Sequence, residues 1–384
     1  MRSPPRAFIL WSIGAAVLGA GLLAIEFALD ATRAWFSYLN AWTCGVGICV
    51  GALLLLMAGH ASKASWMVVT RRLTESIVVV MPLYLLLFVP IAFALPHLYP
   101  WAWHTPPSDP RLHQAILHKR PYLNPPFFVL RTLFYFLVFI VVGGLLRGWS
   151  KANDERPTFA RVRRMRALGG GAIPLVALCL TWASFDWTMS LQPDWYSTIF
   201  GLYTFAGAFV GAIALVAVLM HRSRRATADH GQAIGRLLFA MIVFWAYMSF
   251  SQLLIYWIGD IPEDVSYYRV RTTGSWVAVT AVLVFGHFFV PFFALLSRGL
   301  KRHKDYLLVA GAYMLAMHFV DVYWLVLPSA TPAGAHPAWG DLGGLLLVGG
   351  LSCAWSAWAY TRAAPLPLYA PELAKGLDYE AAIQ

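Results

Sequence analysis

The chain has 384 residues, 59% of them hydrophobic and 12% charged, which is more apolar surface than a soluble core of this length can hide. Its formal net charge of +11 reports membrane topology rather than nucleic-acid binding, because the basic residues gather in a few short connections. The four cysteines, Cys44, Cys49, Cys179 and Cys353, all lie in apolar stretches with no C-x-x-C or C-x-x-C-H spacing. That pattern excludes an iron–sulfur cluster or c-type haem held by this chain and leaves four small buried hydrophobes.

Apolar runs of about 20 residues, enough to cross roughly 30 Å of hydrocarbon, fall at 8–28, 36–58, 76–95, 127–146, 172–192, 199–221, 236–258, 274–297, 305–327 and 341–361. The reading is an all-α polytopic membrane protein of about ten transmembrane helices, with 1–364 as a single integral membrane domain and 365–384 as a tail. The first run follows Arg2 and Arg6, is too long for a signal peptide's apolar region and lacks a cleavage site, so it counts as the first helix. With that helix starting inside, the loops on the other side hold only 7 of the 29 Lys and Arg, Arg131 at a helix start among them. Both termini are therefore expected in the cytoplasm. Glu26 and Glu75 sit near helix ends, the latter beside Arg71 and Arg72, and read as anchors. Pro82 and Pro90 are expected to bend the third helix.

The segment 96–126 carries His97, His104, His113 and His118, whose irregular spacing suits solvated loop histidines better than a metal site. In the fifth and sixth runs, SFDWTMSLQPDWYSTIFG (184–201) holds two Asp-Trp pairs. Pro193 should end the fifth helix. Asp194 then lies in an exposed turn, titrates freely and caps the sixth helix, while Trp187 and Trp195 suit the interfacial aromatic belt. Asp186 lies deeper, where an ionisable group is costly unless paired or wet.

At about 1.5 Å per residue, His287 lies roughly 15 Å from the inner helix ends, His318 about 20 Å, Asp186 about 22 Å and Asp321 about 24 Å. Pro291 frees the carbonyl of His287, placing that histidine at a local opening of the eighth helix. His318 and Asp321 are three apart and share a face. Together with Tyr247, Ser249, Ser251 and Gln252 on the seventh helix, these residues are candidates for proton transfer along a hydrated route, because histidine and carboxylates exchange protons near neutral pH. Asp186 is either a carrier in that route or the partner of a group such as His318. The competing reading is a set of buried polar pairs that lock helices together.

SFDWTMSLQPDWYSTIFGLYTFAGAF (184–209) resembles the signature of the second, smaller NrfD-like (polysulfide-reductase-type) membrane subunit of bacterial alternative complex III. YLNPPFFVLR (122–131), SQLLIYWIGDIPEDVSYYRVR (251–271), GHFFVPFFALLSRGLKRH (286–303) and DVYWLVLP (321–328) agree with it, in the family's order. The loop GDIPED departs from the family's amide- and Glu-rich pattern, so no role is carried onto Asp260, Glu263 or Asp264. The resemblance implies two four-helix bundles plus two peripheral helices in the bacterial cytoplasmic (inner) membrane, within a quinol:electron-acceptor oxidoreductase that delivers electrons to cytochrome c or a similar acceptor. The implied partners are a larger NrfD-like subunit with the quinol site, an iron–sulfur subunit, multihaem and monohaem cytochrome c subunits and small membrane subunits. This chain would then hold no redox cofactor of its own, quinone or quinol being its one implied small-molecule ligand, with haem c and iron–sulfur clusters in the partners. Two other classes compete: a proton-coupled secondary transporter, which calls for inverted repeats, and a b-haem anchor gripping haem with His287 and His318. The loop 96–126 and the segment 259–273, with Trp101, Trp103, Tyr267 and Tyr268 as aromatic anchors, are expected to dock the extracytoplasmic partners.

Overall fold

The computed structural model describes residues 6–105 and 107–381, with the side chains of Glu263 and Asp264 also outside the described set, as is Arg2. Among the described residues there is no β-strand. In chain order the long helices are α1 (Arg6–Leu29), α2 (Ala31–Ala61), α3 (Arg71–Phe93), α4 (Pro125–Glu155), the bent pair α5 (Phe159–Gly171 and Ile173–Leu191), α6 (Phe200–Met220), α7 (Ala228–Gly259), α8 (Trp276–Leu296), α9 (Lys304–Ser329) and α10 (Trp339–Thr361). Apart from α5, these are, among the described residues, nine helices long and apolar enough to cross a membrane, and α5 makes a tenth crossing if its halves, 42° apart, form one span. The protein is thus a multi-pass helical membrane protein.

Local chemistry sets the helix ends. Asp30 accepts the Arg33 N–H at 2.9 Å, and Asn124 accepts that of Phe127 at 3.0 Å with Pro125 opening α4, since a side-chain acceptor at the N-cap satisfies an otherwise orphaned donor. The break in α5 falls at Ala172, where Pro174 has no N–H for the Gly170 carbonyl. The same effect loosens α3 at Val79 and Val80, just before Pro82. Pro193 ends α5 as expected, the last turn being a 3₁₀ turn over Met189–Leu191.

Helices approach closely through glycine, as expected where lipid supplies no hydrophobic drive and van der Waals packing must do so. A Cβ on Gly19 of α1 would lie 2.4 Å from the Leu347 nitrogen of α10, one on Gly51 of α2 would lie 2.3 Å from the Ala208 oxygen of α6, and one on Gly311 of α9 would lie 2.7 Å from the Ala214 oxygen of α6. The buried face of α1 (Ser12, Ala16, Gly19, Leu23, Glu26) packs on α10, while Trp11, Val17 and Leu29 on its other sides are exposed. Helices α2 to α5 pack on one another, α6 to α9 do likewise, and α2 lies against α6 and α9 between the two groups. The Lys- and Arg-rich connections share one end of the molecule, here called the basic end.

Several aromatic residues expected at an interface are core residues instead. Trp187 is wedged among Trp42, Tyr135 and Phe136, with its Nε1 donating to Thr132 Oγ1 at 3.1 Å. Trp195 stacks on Tyr267 with centroids 3.8 Å apart. Trp101, Tyr267 and Tyr268 are buried as well, leaving Trp103 as the exposed member of the proposed docking aromatics. Rings of this size gain more from a packed core than from half-exposure when the loops fold back over the helices.

Candidate functional site

The intramembrane ionisable groups separate into two sites in different helix groups. In the first, Asp186 of α5 is fully buried and paired with Arg131 of α4, whose Nε and Nη2 donate to its two carboxylate oxygens, each at 2.8 Å. Tyr135 Oη donates to Oδ2, also at 2.8 Å. The guanidinium lies over the rings of Tyr122 and Phe127, at 3.7 and 4.3 Å, a cation–π arrangement that supports the charge where water is scarce. YLNPPFFVLR thus builds the site: Asn124 starts the helix, Tyr122 and Phe127 cover the arginine, and Arg131 lies two turns in. The partner of Asp186 is Arg131 and not His318. Aromatic packing of Trp42, Phe136, Phe139 and Trp187 fills the α2–α5 interior beside it.

The second site joins α6, α7, α8 and α9. Asp321 of α9 is buried, accepting from Tyr203 Oη of α6 and, at 3.1 Å, from Trp245 Nε1 of α7. The Trp245 ring also lies against His287 of α8, with centroids 3.8 Å apart. His287 sits in a π-helical turn, Leu283–Phe289, just ahead of Pro291, and Tyr313 Oη of α9 donates to the Gly286 carbonyl there at 2.8 Å. The opening expected from Pro291 is therefore a widened turn served by a neighbouring hydroxyl. His318 fits a notch of small residues: Cβ atoms on Gly207 and Gly211 of α6 would come within 3.6 and 2.8 Å of its ring, and one on Gly47 of α2 within 3.7 Å. Neither ring nitrogen of His287 or His318 meets a partner in good hydrogen-bond geometry.

Chemically the two carboxylates differ. Asp186 holds a guanidinium, so protonating it breaks a bidentate ion pair. Asp321 is held by two neutral donors, so protonating it would break no ion pair, and it lies beside the imidazoles of His287 and His318. The structure brings His287, His318 and Asp321 together and leaves Asp186 out.

The seventh helix contributes differently from the expected stripe. Its buried line runs Leu238, Ile242, Trp245, Met248, Gln252. Tyr247 points away and is 62% exposed, and Ser249 and Ser251 are only half-buried. Gln252 is buried and lies toward the far end, accepting from Ser197 Oγ at 3.2 Å and donating to Tyr268 Oη at 3.0 Å. Tyr268, bonded to Gln252, packs edge-on against Tyr267, whose hydroxyl lacks a partner, and Tyr203 bonds Asp321. Sequence reasoning missed Trp245, Tyr203 and Arg131. Arg131 alone left a signal, as an arginine inside an apolar run.

Asp194 is exposed in the turn but does not cap α6, whose N-cap is Ile199 with no side-chain acceptor. Nor does it titrate freely: partial loss of water around it in the turn raises its carboxyl above the usual range, with a backbone hydrogen bond and the Lys119 charge opposing. Cys44, Cys49 and Cys179 are buried, and Cys353 is exposed on α10. His97, His104 and His118 are exposed, and no cluster of three metal-ligating side chains occurs among the described residues. In comparisons with known proteins, no family model and no curated protein matches the chain.

Proposed function

We propose that the chain is a membrane subunit of a quinol:electron-acceptor oxidoreductase of the alternative complex III type, supporting quinol oxidation and lending a proton route through α6–α9 without a redox centre of its own. The observation that carries the proton route is Asp321, buried within α9 with no cation among its hydrogen-bond partners and with His287 and His318 nearby. The motif order along the chain supports the assignment to the complex. On this reading α2–α5 and α6–α9 are the two four-helix bundles and α1 and α10 the peripheral pair. The basic end and both termini face the cytoplasm, across the bacterial inner membrane. A larger NrfD-like neighbour holds the quinol site, and iron–sulfur and cytochrome c subunits dock at the far end.

Haem on His287 and His318 fits poorly. Backbone at Gly207 and Gly211 presses on the His318 ring, and Trp245 covers that of His287, which leaves no slot for a macrocycle between them. Purification through a tag on this chain, in native membranes, tests the proposal. Haem c and iron–sulfur subunits should come with it and the preparation should oxidise quinol, whereas a stable monomer free of such partners would refute the assignment.

A further inference from the structure

At the basic end the C-terminal segment does not trail into solvent. Its Glu372 pairs with Arg166 of α5 and, at 3.6 Å, with Arg71 of α3. The Leu368 N–H donates to Asp154 of α4 at 3.1 Å, and Asn153 Nδ2 donates to the Tyr369 carbonyl at 3.3 Å. Farther on, the Gly376 carbonyl lies 2.8 Å from His230 Nε2 of α7, and the Ala381 N–H donates to Asp229 at 3.2 Å. Gly376 is also pressed on the α2–α3 connection, where a Cβ would come 2.5 Å from the Ser65 oxygen. The segment therefore spans both helix groups.

Beneath it lies an ionic cluster that the proposed function does not use. Glu75 of α3 is fully buried, 2.6 Å from Arg72, and Arg72 also bonds Asp154 and, at 3.0 Å, Ser150 Oγ. Glu75 Oε1, Arg72 Nε and His60 Nε2 lack partners. A cavity of about 10 Å³, room for about one water, is walled by His60, Arg71, Ser150, Asp154 and, on the tail side, Pro371 and Glu372, and so reaches the cluster through Asp154 and Ser150, the two partners of Arg72. Without the segment, Arg71 and Arg166 lose their carboxylate partner and this polar cavity loses its outer wall.

We infer that residues 365–381 form a lid that keeps bulk water from the Glu75–Arg72–Asp154 cluster and clamps the two helix groups at the basic end. The inference is independent of the quinol reading. It is tested by replacing His60 with cysteine, in a Cys353→Ser background, and measuring its labelling by a membrane-impermeant maleimide in open membranes. Labelling should be slow in the full chain and at least about tenfold faster after truncation beyond Ala364, as expected when a local opening becomes the resting state. Gly376→Val, which lifts the segment off Ser65 without deleting it, serves as the second variant should truncation abolish folding, and should also speed labelling. Labelling already fast in the full chain, or unchanged in whichever variant folds, would overturn the lid.

Discussion

The Arg131–Asp186 pair allows a quantitative test of what holds α4 to α5. Replacing Arg131 with Leu removes two charge-assisted hydrogen bonds, each about 1.5–3 kcal/mol, and strands a fully buried carboxylate without a cation, Tyr135 still donating to it. The expected loss is about 3–5 kcal/mol, the range for breaking a buried pair by removing one partner. Asp186→Leu should cost less, because the guanidinium keeps the Tyr122 carbonyl at 2.8 Å and the rings of Tyr122 and Phe127. The double variant, which leaves no charge stranded, should lose at least about 2 kcal/mol less than the sum of the single losses, near the top of couplings seen between contacting residues. Reversible unfolding in bicelles, followed by steric trapping, measures all three. Additive losses would refute the pairing and return Asp186 to the list of groups free to carry protons.

Gly211→Ala would place a Cβ 2.8 Å from His318 and 3.0 Å from Ile48; overpacking of this kind should cost about 1–3 kcal/mol, read as a lower melting temperature, with Gly170→Ala, 3.8 Å from its nearest neighbour, as the mild control. Burial alone would raise the Glu372 carboxyl, but the Arg166 hydrogen bond and the Arg71 charge outweigh it and hold it below the usual range. Its stabilising contribution is then fully present above about pH 4.3, the usual glutamate value, and fades as pH falls through the depressed value. Melting curves should accordingly show Glu372→Gln less stable than the unaltered chain at pH 6–8 and converging with it under strong acid; a gap independent of pH would mean the carboxylate is not what binds the tail. Deleting 104–118, which removes most of the helix Pro110–Lys119 and leaves Lys119 to hold the Pro193 carbonyl, should release peripheral subunits from the membrane sector, and retention of every partner would show that this loop is no anchor.

The ten apolar runs were legible because hydrocarbon thickness imposes a length and a composition that few other constraints mimic. The meeting of His318 with Asp321 was legible from their three-residue spacing, and the opening at His287 from Pro291. Long-range partners were not. Nothing in the local sequence says that Asp186 will find Arg131, 55 residues away, rather than a histidine at similar depth. On α7 the polar stripe misled because successive residues turn by about 100°, so Tyr247 leaves the face that Trp245 and Gln252 share. The aromatic-belt rule likewise reads depth along a helix and not direction around it, so it places Trp187 and Trp195 at an interface although both are buried. The tail's hold on His230 and Arg166 is made largely by backbone groups and one glutamate, which carry no pattern to read.

The central claim is that Asp321 carries protons during quinol oxidation, and Asp321→Asn tests it most directly, since asparagine keeps the shape and an acceptor for Tyr203 or Trp245 while removing the titrating group. The measurement is proton ejection per electron transferred by the purified complex in sealed vesicles, with assembly checked by subunit content. Ejection should fall or slow in an assembled complex, and Asp186→Asn should leave the ratio intact in whatever complex assembles. Normal ejection with Asp321→Asn would contradict the account.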